Sequence, residues 1–151
     1  MATTALPVHA RRAAVPAAIT PVDGGKLLLR LLVGVLMLFH GFAKIRGGVE
    51  PVMGMLAQHG LPPALAYLAY VGEVVAPLLL IAGLWTRPAA LVIAVNMLVA
   101  VFLAHQRDVL RLNEQGGWAI ELQAFYLFGA LACALLGAGR LALGGHGGRW
   151  S

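Results

Sequence analysis

The chain has 151 residues, of which 60% are hydrophobic and only 11% charged, with a formal charge of +5 and a mean hydropathy of +0.85. Soluble domains of this size carry about a quarter charged residues, so this composition excludes a water-soluble globule and leaves an all-α integral membrane protein of one domain. The basic residues sit singly at segment ends rather than in a stripe, which argues against nucleic acid as a partner and for lipid headgroups.

Residues 1–25 are rich in Ala, Pro and Thr and contain Arg11 and Arg12 but no apolar signal region, so they read as a disordered amino-terminal tail. Four apolar spans follow, from Leu27 to Ile45, Pro63 to Trp85, Thr86 to His105 and Trp118 to Gly137. Each is near the ~20 residues that cross a bilayer as a helix. Their runs are continuous, where barrel strands would alternate. The expected architecture is a four-transmembrane-helix bundle over residues 26–143, with 144–151 as a short tail. Between spans one and two, Pro51 to Gln58 predicts a short interfacial helix stopped by Gly60, Pro62 and Pro63. The "GLWTRP" turn makes spans two and three a hairpin, with Pro88 tolerated in the first turn of span three. The loop from Gln106 to Gly117 reads as simply water-exposed.

Orientation rests on basic residues near the spans. An amino terminus inside puts Arg11, Arg12, Lys26, Arg87, Arg140 and Arg149 in the cytoplasm, against Lys44, Arg46, Arg107 and Arg111 outside. Six against four favours both termini inside. Placed by depth at 1.5 Å per residue, His40, Lys44, Glu73, Asn96, His105 and Glu121 then concentrate between the midplane and the outer surface. The inner half is nearly bare apart from Arg30, which is expected to snorkel to its end. An ionised group at the bilayer centre costs roughly 2.5–3.5 kcal/mol on insertion scales, so such groups face the bundle interior and pair. Lys44 lies one turn beyond His40 and shares its face. Pro77, four residues after Glu73, removes the helix bond to the Glu73 carbonyl and predicts a kink. Asn96 and His105 are nine residues apart, 180° on a straight helix, so they share a pocket only if span three bends or unwinds.

Two readings of this cluster stay open: a ligand, quinone or proton site, and structural ion pairs that fix helix register. Haem ligation by His40 and His105 lacks any supporting signature. Cys133 is the only cysteine, so there is no intrachain disulfide and no cysteine metal site, and no metal is expected. Gln123, about 160° from Glu121, is expected to face another subunit. Ala130, Ala134 and Ala138 allow close helix approach, within the bundle or in a homo-oligomer.

The segments "RLLVGVLMLFHGFAK", "GLPPALAYLAYVGE", "LLLIAGLWTRPAAL" and "GGWAIELQAFY…LLGAGR", in that order, resemble the DoxX family of small bacterial membrane proteins. The resemblance spans Leu27 to Leu143 and keeps Arg30, His40, Gly41, Lys44, Glu73, Thr86, Arg87 and Glu121 in register. The chain departs from the usual ending "GPGRYSLD", having "GAGRLALGG". The resemblance implies a subunit of the bacterial cytoplasmic (inner) membrane tied to sulfur or oxidative redox metabolism. No covalent cofactor is expected; a quinone is the candidate ligand and a soluble oxidoreductase the candidate partner. A non-catalytic assembly or anchoring protein is the alternative function, and a small-solute transporter the third.

Overall fold

The computed structural model describes residues 18–144; the remainder of both expected tails lies outside the described residues. The first helix, α1 (Pro21–Gly47), begins five residues before the expected domain boundary. Its start is fixed locally. Thr20 and Asp23 form a capping box in which the Asp23 carboxylate accepts from the Thr20 amide at 3.0 Å, and Pro21 occupies the first turn, where no N–H is needed. At about 1.5 Å per residue, 27 residues extend roughly 40 Å. Gly48, at φ 81°, ends it.

A short helix, α2 (Glu50–Gln58), follows within a residue of its expected start. Then comes α3 (Pro63–Ala82), which is not uniform. It opens with a 3-10 turn over Pro63–Tyr67, passes through a π-turn over Val71–Val75, and finishes as ordinary α-helix from Ala76. It stops three residues before Trp85. Gly83 is left-handed (φ 72°), the Leu84 amide bonds Leu79 O and the Gly83 amide bonds Leu80 O, the double closure of a Schellman turn. Helix α4 (Thr86–Ala104) starts at once, forming the expected hairpin.

The last helix, α5 (Glu121–Leu136), has 16 residues and begins three residues later than the sequence suggests. Trp118 is drawn into the preceding loop instead. Its indole Nε1 donates to Val109 O at 2.7 Å, and it pairs with Leu112 in an isolated antiparallel bridge. The loop is therefore folded rather than merely exposed, with Ala119 N bonded to Arg111 O and Asn113 N to Gly117 O around Gly116 at φ 82°.

Three helices, α1, α3 and α4, are long and apolar enough to cross a membrane; α5 is a shorter apolar helix. The four share one core, in which Val33 and Met37 of α1, Leu80 of α3, Ile93 of α4 and Ala130 and Cys133 of α5 meet. Apolar side chains also cover the outside, among them Phe39, Phe42, Val95, Phe125 and Phe128. Water would not tolerate that surface over a whole bundle, whereas hydrocarbon does. The chain is a multi-pass membrane protein. Ala130 and Ala138 are buried and Ala134 packs against the core, so the small-residue row serves packing inside this bundle.

Close approach of α1 to α3 needs two glycines. A methyl group on Gly34 would overlap Ile81, and one on Gly41 would overlap the Glu73 carbonyl. Without a hydrophobic drive between helices in lipid, such backbone proximity is what small residues contribute.

The end of the bundle where α1 begins and α5 finishes is not bare. Arg30 is 1% exposed and points inward: its Nη1 donates to Ala138 O at 2.8 Å and its Nη2 to Leu141 O at 2.7 Å. It does not snorkel, because the carbonyls just beyond α5 give the guanidinium partners that lipid cannot. A cation there also complements the helix dipole. Asp23, likewise buried, accepts from the Arg140 amide at 3.1 Å, which ties the chain after α5 to the start of α1.

Candidate functional site

Glu73 lies inside the π-turn, where the Ala76 amide reaches back five residues to Val71 O and Pro77 has no N–H for the Glu73 carbonyl. The kink expected from Pro77 takes this form. The extra residue per turn directs the Glu73 side chain into the bundle, where it is 5% exposed. From α1, the Lys44 ammonium donates to Glu73 Oε2 at 2.5 Å. From α4, the Asn96 amide donates to Glu73 Oε1 at 3.3 Å. Both carboxylate oxygens thus have partners, which is what a buried acid requires. Three helices are joined at one side chain.

Two small residues make room. Gly41 admits the α1 backbone beside the Glu73 carbonyl, and Gly72 leaves space that a methyl group would take from Asn96. Tyr70, one turn before Glu73, donates from its hydroxyl to Lys44 O at 3.1 Å and holds the end of α1 against α3.

Beside the ion pair is a cavity of about 110 Å³, lined by Met37, His40, Lys44, Glu73, Met97, Ala100, Leu122, Gln123 and Tyr126. Its walls mix soft apolar groups with a cation, an anion, an imidazole, an amide and a phenol. His40 meets the Tyr126 ring edge-on at 5.4 Å and 85°, and its Nδ1 lies 3.2 Å from Leu36 O, so that nitrogen is the donor and Nε2 is left for other contacts.

Of the residues singled out in the sequence, Lys44, Glu73 and Asn96 are bonded together, and His40 lines the same cavity. His105 reaches the site indirectly. Helix α4 ends at Ala104, and His105 (φ −128°, ψ 16°) leaves the helical path, which removes the 180° conflict with Asn96. Its Nε2 is 3.0 Å from Gln123 Nε2, the amide donating to the ring, and its Nδ1 is 3.4 Å from Asp108 Oδ2. Glu121 is set apart. It is exposed in the first turn of α5, against Gly117 and Asn113 of the loop, and does not line the cavity. Its place is taken by Gln123, which faces inward rather than toward another subunit. Tyr126 is the lining residue the sequence reading missed; it falls three residues after Gln123, on the same helix face, and that spacing is the available signal. Met37 and Met97 are the packing residues their place in the spans suggests, buried in the shared core beside the cavity. Among the described residues, no group of three or more His, Cys, Asp or Glu side chains is placed to hold a metal.

The family model for DoxX matches residues 25–106, which takes in α1 to α4. A Bacillus subtilis protein described as "Putative oxidoreductase CatD" is 28% identical over 119 residues, covering 79% of this chain and 84% of that protein. An uncharacterized protein of Haemophilus influenzae is 33% identical over 116 residues, 71% of this chain and 84% of its own length. No solved structure matches.

Proposed function

Because the chain belongs to the DoxX family, and a relative carries the name of an oxidoreductase, we propose that it is the membrane subunit of a quinone-linked oxidoreductase whose Lys44–Glu73 cavity takes one edge of the quinone ring. The observation that carries this reading is a partnered carboxylate, buried in an apolar bundle, facing a cavity that also presents His40 and Tyr126. The donor set fits a carbonyl acceptor. The size limits how it binds: a cavity of ~150 Å³ encloses benzene, and this one is about 110 Å³. A ring therefore enters edge-on, with its body against the apolar helix faces.

A quinone supplies the redox chemistry, taking up two electrons and two protons. The chain supplies the surroundings. Lys44 places a positive charge where a carbonyl oxygen gains electron density, in a site where such a charge counts for more than in water. Glu73 holds or releases a proton at its carboxylate, and Asn96 keeps that carboxylate turned toward the cavity. His40 offers a second proton-carrying ring within the same walls. We place this cavity toward the outer face of the bacterial inner membrane, with both termini in the cytoplasm and α5 as the fourth crossing.

The deciding experiment is equilibrium binding of decylubiquinone and menadione to the purified protein in lipid nanodiscs. Binding to the wild type, weakened about tenfold or more by Glu73→Gln and by Lys44→Met at equal folded protein, supports the site; a tenfold change corresponds to about 1.4 kcal/mol. Absence of binding to the wild type removes it. A second reading, a membrane anchor for a soluble oxidoreductase, is favoured by Leu110 and Leu112, 97% and 72% exposed on the folded loop. On that reading Leu110→Glu with Leu112→Glu abolishes co-purification of the soluble enzyme and leaves quinone binding intact.

A further inference from the structure

Glu73 is only 5% exposed, and a proton-handling acid in that position needs a supply. Polar groups come toward it from every helix that packs there: Lys44 and His40 on α1, Tyr70 on α3, Asn96 on α4, Tyr126 and Gln123 on α5. Lys44 and His40 each keep some exposure of their own, and among the described residues a line of polar side chains also runs from the cavity to the loop before α5. Gln123 lines the cavity and bonds His105 at 3.0 Å; His105 in turn faces Asp108 at 3.4 Å, and Asp108 lies 3.9 Å from Arg111 on the exposed loop. His59, bonded to Gln106, is the remaining imidazole at this end of the bundle.

We infer that His105 is the aqueous entry of a proton path to Glu73, with Gln123 holding the imidazole edge at the cavity wall. The proposal rests on the reading of the cavity as a proton-handling site. His105 has the position for this work. Its side chain is 33% exposed, so one edge meets water, while its Nε2 lies one amide away from the cavity. The Asp108 carboxylate opposite Nδ1, at 3.4 Å, is an acceptor for a hydrogen on that nitrogen. A cavity of about 110 Å³, mostly apolar but with His40, Lys44, Glu73, Gln123 and Tyr126 in its walls, has room for roughly three waters at ~30 Å³ each.

The step is a transfer of protons only. When Nε2 is protonated the Gln123 amide turns over so that its Oε1 accepts from the ring. The imidazolium then gives its Nε2 proton to a cavity water, that water passes a proton to a Glu73 carboxylate oxygen, and the neutral ring takes a proton from bulk water. Lys44 stays cationic throughout, and its partial exposure allows water to solvate it when Glu73 is neutral. His105 touches no ligand in this scheme; it delivers. Gln123 is a positioning residue.

The test needs no quinone. Full-length protein in nanodiscs is given a rapid drop in pH, and the protonated-carboxyl infrared band is followed in time; Glu73→Gln identifies the band by erasing it. The expected result is that His105→Ala slows the rise of this band about tenfold or more, a modest share of what general acid–base groups contribute, with the same final amplitude. Added imidazole restores the rate in His105→Ala. Gln123→Leu also slows it, but imidazole does not rescue that variant. Wild-type rates in both variants overturn the path, as does the lack of any Glu73-dependent band in the wild type. A slowed His105→Ala that imidazole fails to restore overturns it too. Quinone binding is measured separately, so a failed path with intact binding removes only this inference, and the reverse removes only the ligand.

Discussion

The Lys44–Glu73 pair is where a single atom matters most. Both carboxylate oxygens are bonded, to Lys44 and Asn96, so removing the charge from one partner of the ion pair strands the other. Breaking a fully buried pair costs about 3–5 kcal/mol. Lys44 retains 25% exposure and can rehydrate, so Glu73→Gln is expected to destabilise the protein by less, about 1–3 kcal/mol. Adding Lys44→Met to Glu73→Gln should recover most of that loss. Thermal unfolding of the two single variants and the double one closes the cycle; additive effects would mean the pair contributes no coupling. Depth along the spans was enough to group Lys44, Glu73, Asn96 and His40 from the sequence. It failed at Glu121 and Gln123 because depth says nothing about azimuth. Two residues 160° apart cannot both face inward, and the charged one was preferred, although the start of α5 leaves it among loop groups in reach of water.

Among the elements, α1 shows how position along a helix changes what a glycine is for. Gly25 and Gly41 are both helical, but a methyl group at Gly25 meets nothing within 4 Å, while at Gly41 it meets the backbone carbonyl of Glu73. Gly25→Ala should stabilise by about 0.4–1 kcal/mol through the unfolded chain. Gly41→Ala should destabilise by about 1–3 kcal/mol, since the obstructing atom is backbone and cannot rotate away. Denaturation midpoints of the two variants check the contrast; equal shifts would mean that α1 and α3 are not in close contact. Continuous apolar runs made the helices and the α3–α4 hairpin legible. The π-turn was not, because Pro77 announces a missing bond without saying how the chain re-pairs. The shortening of α5 was also hidden, since Trp118 looks the same in hydropathy whether it begins a helix or closes a loop.

At the scale of the molecule, the clamp of Arg30 on Ala138 and Leu141 fastens the segment after α5 across the ends of α1 and α3, assisted by the Leu143 amide on Ala82 O. Arg30→Met should free this segment, raising hydrogen exchange at Leu143 about tenfold or more while the amides of α4 keep their protection. Unchanged exchange would show that the clamp is dispensable. Four crossings also predict that Gly24→Cys and Leu143→Cys, each in a Cys133→Ala background, react with an impermeant thiol reagent from the same side, and Glu114→Cys from the other; three crossings would split the first two. The clamp has an electrical corollary. Among the described residues, the end bearing Arg30 carries four basic side chains, Lys26, Arg30, Arg87 and Arg140, against Asp23 alone, whereas the opposite end carries four basic and five acidic ones. The bundle is a fixed dipole laid across the bilayer. A membrane voltage is worth ~2.3 kcal/mol per unit charge per 100 mV, so in an energised membrane it favours the insertion that keeps the guanidinium end on the negative side.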